Sequence, residues 1–497
     1  MLRVTLSMLV SLVLPPFLVH RMSTVEYSAW VLILQVSAYI GLLDLGLQTA
    51  VGKFVAEHHA LDDRATNARV LSTSFVLLSL AALLGAVVIA IMTWRVPQLF
   101  HQMPVALVRS VREGLLAVGL SVALGLPFGS FLAAFTGLQE YWFPTVISTL
   151  SRILSAAGLV VLLLMHCTLV QLALLMGGFN VASAIMQFLG WRKYLRERVD
   201  FSFSFYDRAI AVRLAKYGAV LSVWTLAGLF ISGFDVLIVG HYNYKNTGFY
   251  AVASSVTNFM LVVIASIFGP LLPAVSSLQT SATPEHIGDL LIRVTRYCSL
   301  LLCLFGATLL VGAYPLLSLW VGHDYATRSA LYLEILVLGN VVRQLSYPYA
   351  LMVVATGKQH LATIAAIGEA LVNVVVSVLL VKRIGAIGVA IGTLVGAFVS
   401  MGMHLTVSMH LTQSTILVRR MRFILQSLLR PLLSLTPTLL LYPFWRRFNM
   451  LPANPALLAL WAVLTLAIAW QVGLTLEDRH SVVGGASRLL YWRLEKT

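Results

Sequence analysis

Thr136-Gly137-Leu138-Gln139 closes one long apolar stretch, and Thr356-Gly357-Lys358-Gln359 closes another 220 residues later. Other landmarks recur at nearly the same interval: Pro127 with Pro348, His20 with His241, and Tyr27 with Tyr250. A period shared by unrelated residue types points to a duplicated unit, which in a membrane protein means two related lobes.

Composition sets the solvent. The chain is 59% hydrophobic and 11% charged, with mean hydropathy +0.90, against about 25% charged in soluble domains. That much apolar surface calls for lipid. Fourteen stretches have roughly the 20 residues needed to cross about 30 Å of hydrocarbon. They run from 2–20 and 27–50 through 114–137, 218–240, 330–356 and 361–381 to 428–445 and 456–476. Arg3 and the apolar run after it resemble a signal peptide. With no Ala-x-Ala site and with Pro15-Pro16 inside, the run reads as a retained first helix.

The expected fold is therefore an all-α polytopic membrane protein of about 14 helices. The expected organisation is a six-helix lobe over 1–190, a basic cytoplasmic linker over 191–217, a second six-helix lobe over 218–410, and two further helices with a cytoplasmic tail over 411–497. The Lys and Arg distribution favours both termini in the cytoplasm, with seven basic residues in 191–217 alone. The two Thr-Gly-x-Gln copies end the fourth and tenth spans, six helices apart, so they emerge on one side and the repeat is parallel. The net charge of +15 reads as topology and contact with anionic membrane lipids. The basic residues are divided among many short loops, so nucleic-acid binding is not expected.

Ionisable side chains within spans are costly and usually face the bundle interior or a wet cavity. Here they are Asp44, Arg152, Asp235, Glu334, Arg343 and Glu369. Asn340, Arg343 and Tyr347 fall at i, i+3, i+7, the spacing of one helical face. Glu369, Asn373 and Ser377 do so on the next helix, and Thr145, Ser148, Arg152 and Ser155 on span five. Such stripes on apolar helices predict a hydrophilic surface between the lobes. The alternative for Arg343 and Glu369 is a buried lock between adjacent helices. Asp44 and Asp235 lie near span ends, where a helix-end role competes with a functional one. Trp94, Trp142, Trp191 and Trp320 read as an interfacial belt. Gly385, Gly388, Gly392 and Gly396 read as small-residue helix contacts, with no Lys-Ser or Lys-Thr to make a phosphate loop. The histidines and three cysteines show no metal spacing, and no cofactor is expected.

Glu26-Tyr27-Ser28-Ala29-Trp30, Leu42-Leu43-Asp44-Leu45-Gly46-Leu47 and Lys53-Phe54-Val55-Ala56-Glu57 resemble the opening of Wzx-type polysaccharide transporters. These are lipid-linked oligosaccharide flippases of the multidrug/oligosaccharidyl-lipid/polysaccharide exporter superfamily. Phe234-Asp235-Val236-Leu237-Ile238-Val239-Gly240 with Gly248-Phe249-Tyr250 is similar to that family's seventh-to-eighth helix junction. Ala355-Thr356-Gly357-Lys358 and Gly385-Ala386-Ile387-Gly388 are similar to its tenth-to-twelfth helix region. The family pattern commonly has Gly where this chain has Ser28, and span one carries no central charge for a cation site.

The resemblance implies a MATE-like, V-shaped pair of lobes opening alternately to each side of a bacterial inner membrane. The implied cargo is an undecaprenyl-pyrophosphate-linked oligosaccharide for O-antigen, capsule or exopolysaccharide synthesis, moved at the expense of a H+ or Na+ gradient. Polysaccharide polymerase and chain-length machinery are implied as partners. Arg152, Arg343 and Lys53, with Asn340 and Tyr347, are candidates for the pyrophosphate and glycan. Asp235, Glu334, Glu369 and Asp44 are candidates for ion coupling. A MATE-type multidrug or cation antiporter is the alternative, and would favour acidic residues with fewer arginines. A membrane glycan polymerase or glycosyltransferase would need a substantial outside loop, whereas the longest, about 94–113, has Glu113 as its one acid. No enzymatic activity is expected.

Overall fold

The computed structural model describes residues 2–278, 282–448 and 455–480. Residues 481–497 of the expected tail lie outside them. Among the described residues the regular structure is entirely helical, as hydrocarbon requires of a chain whose backbone polar groups must be satisfied internally.

Each of the fourteen expected spans falls on a helical segment. They are α1 (Leu2–Arg21), α2 (Thr24–Ala60), α3 (Arg64–Trp94), α4 (Val105–Gly125 and Gly129–Gly137), α5 (Trp142–Leu164), α6 (Leu169–Tyr194) and α7 (Arg208–Gly228, a π turn at Leu229–Gly233, then Phe234–Tyr242). They continue as α8 (Tyr244–Leu278), α9 (Pro284–Val321), α10 (His323–Leu345 and Tyr347–Ala355), α11 (Gln359–Ile384), α12 (Ala386–Leu411), α13 (Arg420–Tyr442) and α14 (Ala456–Gly473). Ten are individually long and apolar enough to cross a membrane, and the bent α4 pair makes an eleventh. This is a multi-pass membrane protein. Leucines such as Leu80, Leu83 and Leu84 on α3 stay exposed, as lipid-facing side chains do.

The two Thr-Gly-x-Gln segments follow the same local design. The helix breaks near Pro127 in α4 and at Ser346, just before Pro348, in α10, because proline lacks the N–H that would continue the ladder. Each helix then resumes for nine residues, Gly129–Gly137 and Tyr347–Ala355. Both end in a turn where a later N–H reaches back to the helix: Glu140 N to Phe135 O at 2.9 Å, and Lys358 N to Val353 O at 3.0 Å. The left-handed residue differs. It is Gly357 (φ 76°) in the second copy and Gln139 (φ 60°) in the first.

The chain divides into two compact units, residues 1–252 with 378–389, and 253–377 with 390–497. In the first, the 191–217 segment is packed rather than free. Trp191, Leu195 and Val199 join Phe131, Leu71 and Leu214 in a buried cluster, and Ser202 N and Asp207 N donate to Ser72 Oγ and Thr73 Oγ1. This corrects the reading of Trp191 as a belt residue. It is 4% exposed, and its Nε1 donates to Val199 O at 2.9 Å, because the chain after α6 folds back over it. Trp94 and Trp142 do remain exposed. Ser28, the departure from the family pattern, accepts from Gly248 N at 3.0 Å and donates to Thr24 O. It thereby satisfies an otherwise orphan amide at the start of α8.

In the second unit, α11 and α12 approach closely where Gly392 faces Ser377. A Cβ on Gly392 would lie 2.1 Å from the Ser377 Oγ, so the small-residue contact expected for this stretch is present. Cys303, Ala307, Leu435 and Trp461 form a core joining α9, α13 and α14.

Gly357 has open space around the position of an added Cβ, so substitution there tests the backbone alone. Gly357→Ala is expected to cost about 1–2 kcal/mol, and Gly357→Asn less. Thermal unfolding of the detergent-solubilised chain measures this, and an unchanged midpoint for the alanine variant would exclude the left-handed turn.

Candidate functional site

The polar stripe on α11 is buried through the centre of the second unit: Glu369, Asn373 and Ser377 are each at most 2% exposed. Ser377 Oγ donates to Asn373 Oδ1 at 3.0 Å. One helix away, Arg343 forms an ion pair with Glu369 through its Nε and donates to Asn340 Oδ1 at 2.8 Å through Nη1. Asn340 is fixed in turn by its own donation to Leu336 O, so the amide oxygen is presented to the guanidinium. Arg343 Nη2 is buried and has no hydrogen-bond partner among the described residues. An unused donor on a paired guanidinium leaves room for one further acceptor.

The structure thus brings Asn340, Arg343 and Glu369 together. Tyr347 does not continue their stripe. The helix ends at Leu345, Ser346 caps it, and Tyr347 opens the next segment, because Pro348 cannot donate back along the ladder. Glu334, on the same helix as Arg343, has another partner: the Tyr442 hydroxyl of α13 donates to its Oε2.

A second polar cluster forms in the first unit around the π turn of α7. The Gly233 carbonyl accepts from the Tyr39 hydroxyl and from Gln35 Nε2 at 3.3 Å, both on α2. Two residues on, the buried Asp235 carboxylate accepts from the Tyr250 hydroxyl at 3.1 Å. Tyr39 also stacks on Phe234, with ring centroids 5.8 Å apart. Single-residue insertions of the π type are frequent at functional sites, and a buried carboxylate with a tyrosine donor can hold or pass a proton.

The remaining candidates lie on α2 and α5. Asp44 closes a break in α2, its Oδ1 accepting from Gly46 N at 2.7 Å, a turn-capping task of the helix-end kind. Lys53 is exposed, with its Nζ 4.5 Å from the Tyr217 ring centroid. Arg152 is exposed on α5, where Ser155 donates to its backbone carbonyl. Sequence reasoning misses Tyr39, Gln35 and Tyr442 because a tyrosine or glutamine in an apolar span carries no signal of its partner. Tyr250 stands out in the sequence only as a repeat landmark.

No protein-family model matches the chain, and no curated protein sequence does. Solved structures do. The lipid II flippase MurJ in an inward closed conformation superposes with TM-score 0.68 at 14% identity, covering 94% of this chain and 96% of that one. An inward-facing multidrug resistance MATE transporter of the MOP superfamily gives 0.64 at 15% identity, covering 81% and 98%. A mutant of the Vibrio cholerae MATE transporter VcmN gives 0.57 at 14% identity, covering 81% and 92%. The chain has their fold.

The Arg343–Glu369 geometry makes a stability prediction. Removing one partner, as in Glu369→Gln, is expected to cost about 3–5 kcal/mol by leaving a buried charge uncompensated. Replacing both by methionine is expected to be neutral or stabilising. Thermal unfolding of the two single variants and the double variant closes this cycle; additive losses would show that the pair is not coupled.

Proposed function

We propose that this chain is a flippase that moves a polyprenyl-pyrophosphate-linked oligosaccharide across the bacterial inner membrane for cell-surface polysaccharide synthesis. Its six-helix lobes would be 1–190 and 218–410, joined by 191–217 and followed by 411–497, with both termini in the cytoplasm. The observation that carries the reading is the extent of the structural match. The lipid II flippase MurJ structure covers 94% of this chain, whereas the MATE transporters cover 81%. The Wzx-like motifs and the arginines inside spans support the same class of cargo.

The chemistry fits. A pyrophosphate-sugar headgroup cannot cross hydrocarbon unaided, while its polyprenyl tail can stay in lipid. Arg343 can bind either its internal carboxylate or an incoming phosphate, and the unused Nη2 is where exchange begins. A phosphate oxygen that displaces the Glu369 carboxylate takes its place as the guanidinium's anionic partner. Re-formation of the ion pair with Glu369 releases the cargo, so the internal carboxylate and the headgroup compete for one guanidinium. Asp235, buried beside Tyr250 and the π turn that Tyr39 caps, is the candidate for coupling to a H+ or Na+ gradient. Arg152 and Lys53, both exposed, offer further cationic contacts for the headgroup. The polymerase and chain-length machinery of the pathway would receive the product.

The experiment is transport of a lipid-linked oligosaccharide in proteoliposomes, with ΔpH and Na+ gradients imposed separately. Arg343→Ala is expected to reduce flipping at least tenfold. The double methionine variant is expected to fold normally and still fail to flip; normal flipping by that variant makes the pair architectural only. A deletion strain is expected to accumulate lipid-linked glycan readable by mass spectrometry. Export of cationic dyes without glycan transport would favour the MATE-type antiporter, a reading the buried Asp235 also supports.

A further inference from the structure

The last two helices, α13 and α14, build something the proposed transport cycle does not use. Where they meet the start of α9, they border an open cavity of about 760 Å3 lined by Arg293, Arg296, Arg422, Arg430 and Arg479 against Asp289, Glu477 and Asp478. We infer that this cavity binds the phosphate headgroup of an anionic membrane lipid.

The charge balance comes first. Arg296 is already committed. It pairs with the buried Asp478 and donates from Nε to Gln426 O at 3.1 Å. Asp478 also accepts from Tyr297 at 2.9 Å and from Thr475 Oγ1 at 2.6 Å. Burial alone would raise the Asp478 carboxyl, but the hydrogen bonds from Thr475 and Tyr297 and the Arg296 charge hold it below the usual carboxylate range. It stays ionised and ties α14 to α9. Arg422 is offset by Asp289 at 2.9 Å. Arg293, Arg430 and Arg479 form no ion pair among the described residues. Arg479 donates to the carbonyls of Gln471 and Leu474, while its Nε is buried without a hydrogen-bond partner. Three guanidiniums therefore converge on one cavity with donors to spare, the arrangement suited to phosphate oxygens.

Position selects a lipid as the source of that phosphate. Arg422, Gln426 and Arg430 recur at i, i+4, i+8 and line the cavity. On the neighbouring face of the same helix, Leu425, Leu429 and Leu433 are about half exposed. A headgroup held by the arginines would lay its acyl chains along those leucines. The cavity also lies at the ends of α9, α13 and α14. At 38 residues α9 is about 57 Å long, well beyond the hydrocarbon thickness, so its first turns reach headgroup depth. Basic pockets between helices at that depth suit acidic lipid headgroups.

The test uses the full chain, delipidated in detergent and titrated with phosphatidylglycerol, cardiolipin or phosphatidylcholine, with bound lipid read by native mass spectrometry. The expected result is retention of the two anionic lipids and not of phosphatidylcholine. R293Q/R430Q removes two unpaired guanidiniums and leaves the Arg296–Asp478 tie intact. It is expected to weaken anionic-lipid binding about thirtyfold with an unchanged thermal midpoint, and to leave flipping measurable. R430Q alone, expected to lose about fivefold, serves if the double variant does not fold. Equal retention of phosphatidylcholine, unchanged binding by a folded variant, or displacement of the lipid by equimolar inorganic pyrophosphate would each overturn the inference, the last by assigning the cavity to a soluble anion.

Discussion

A backbone carbonyl that loses its amide partner inside hydrocarbon costs several kcal/mol, and this constraint organises the polar chemistry of the protein. At several interruptions of a helix ladder, a side chain donates to a backbone carbonyl. At the π turn of α7, Tyr39 and Gln35 donate to Gly233 O. At the two π turns bordering the arginine cavity, Arg296 donates to Gln426 O and Arg479 to Gln471 O. Near the proline break of α10, the Cys298 thiol approaches Gln344 O. Interruptions of the ladder therefore coincide with clusters of polar and ionisable side chains, because one need draws in the other.

The ionisable groups obey the same economy. Arg343 with Glu369, Arg296 with Asp478, Glu334 with Tyr442 and Asp235 with Tyr250 are each an ionisable group held by a specific partner. A pair of this kind contributes little net stability compared with apolar packing of the same volume. Its retention in two places of the second unit is easier to understand if a pair can open. The two ion pairs differ in that respect. Asp478 is saturated by four donors and acts as a fixed tie, whereas Arg343 keeps a donor unused.

Much of the candidate site is legible in the sequence. Arg343 and Glu369 stand on apolar helices at positions where a charge has no inexpensive alternative, and either a lock or a site follows from that. The span positions are legible because the apolar runs are long and the loops short. Other features are hidden for physical reasons. The break at Ser346 moves Tyr347 out of the stripe, although the i+7 spacing implies otherwise. Trp191 looks interfacial until the 195–205 chain is seen to fold back over it. Arg430 and Asp478 draw no attention because each sits near a span end, where a lone charge is ordinary; only their convergence gives them meaning.

The sequence by itself determined the solvent, the all-helical class and the approximate place of each span, because hydropathy and length act locally and permit only helices in lipid. Only the tertiary structure decided which charges pair, which carbonyls are rescued by which side chains, and that α13 and α14 border a basic cavity. Those outcomes depend on residues far apart in the chain, Arg296 and Asp478 being 182 positions apart, and no local pattern encodes such a meeting.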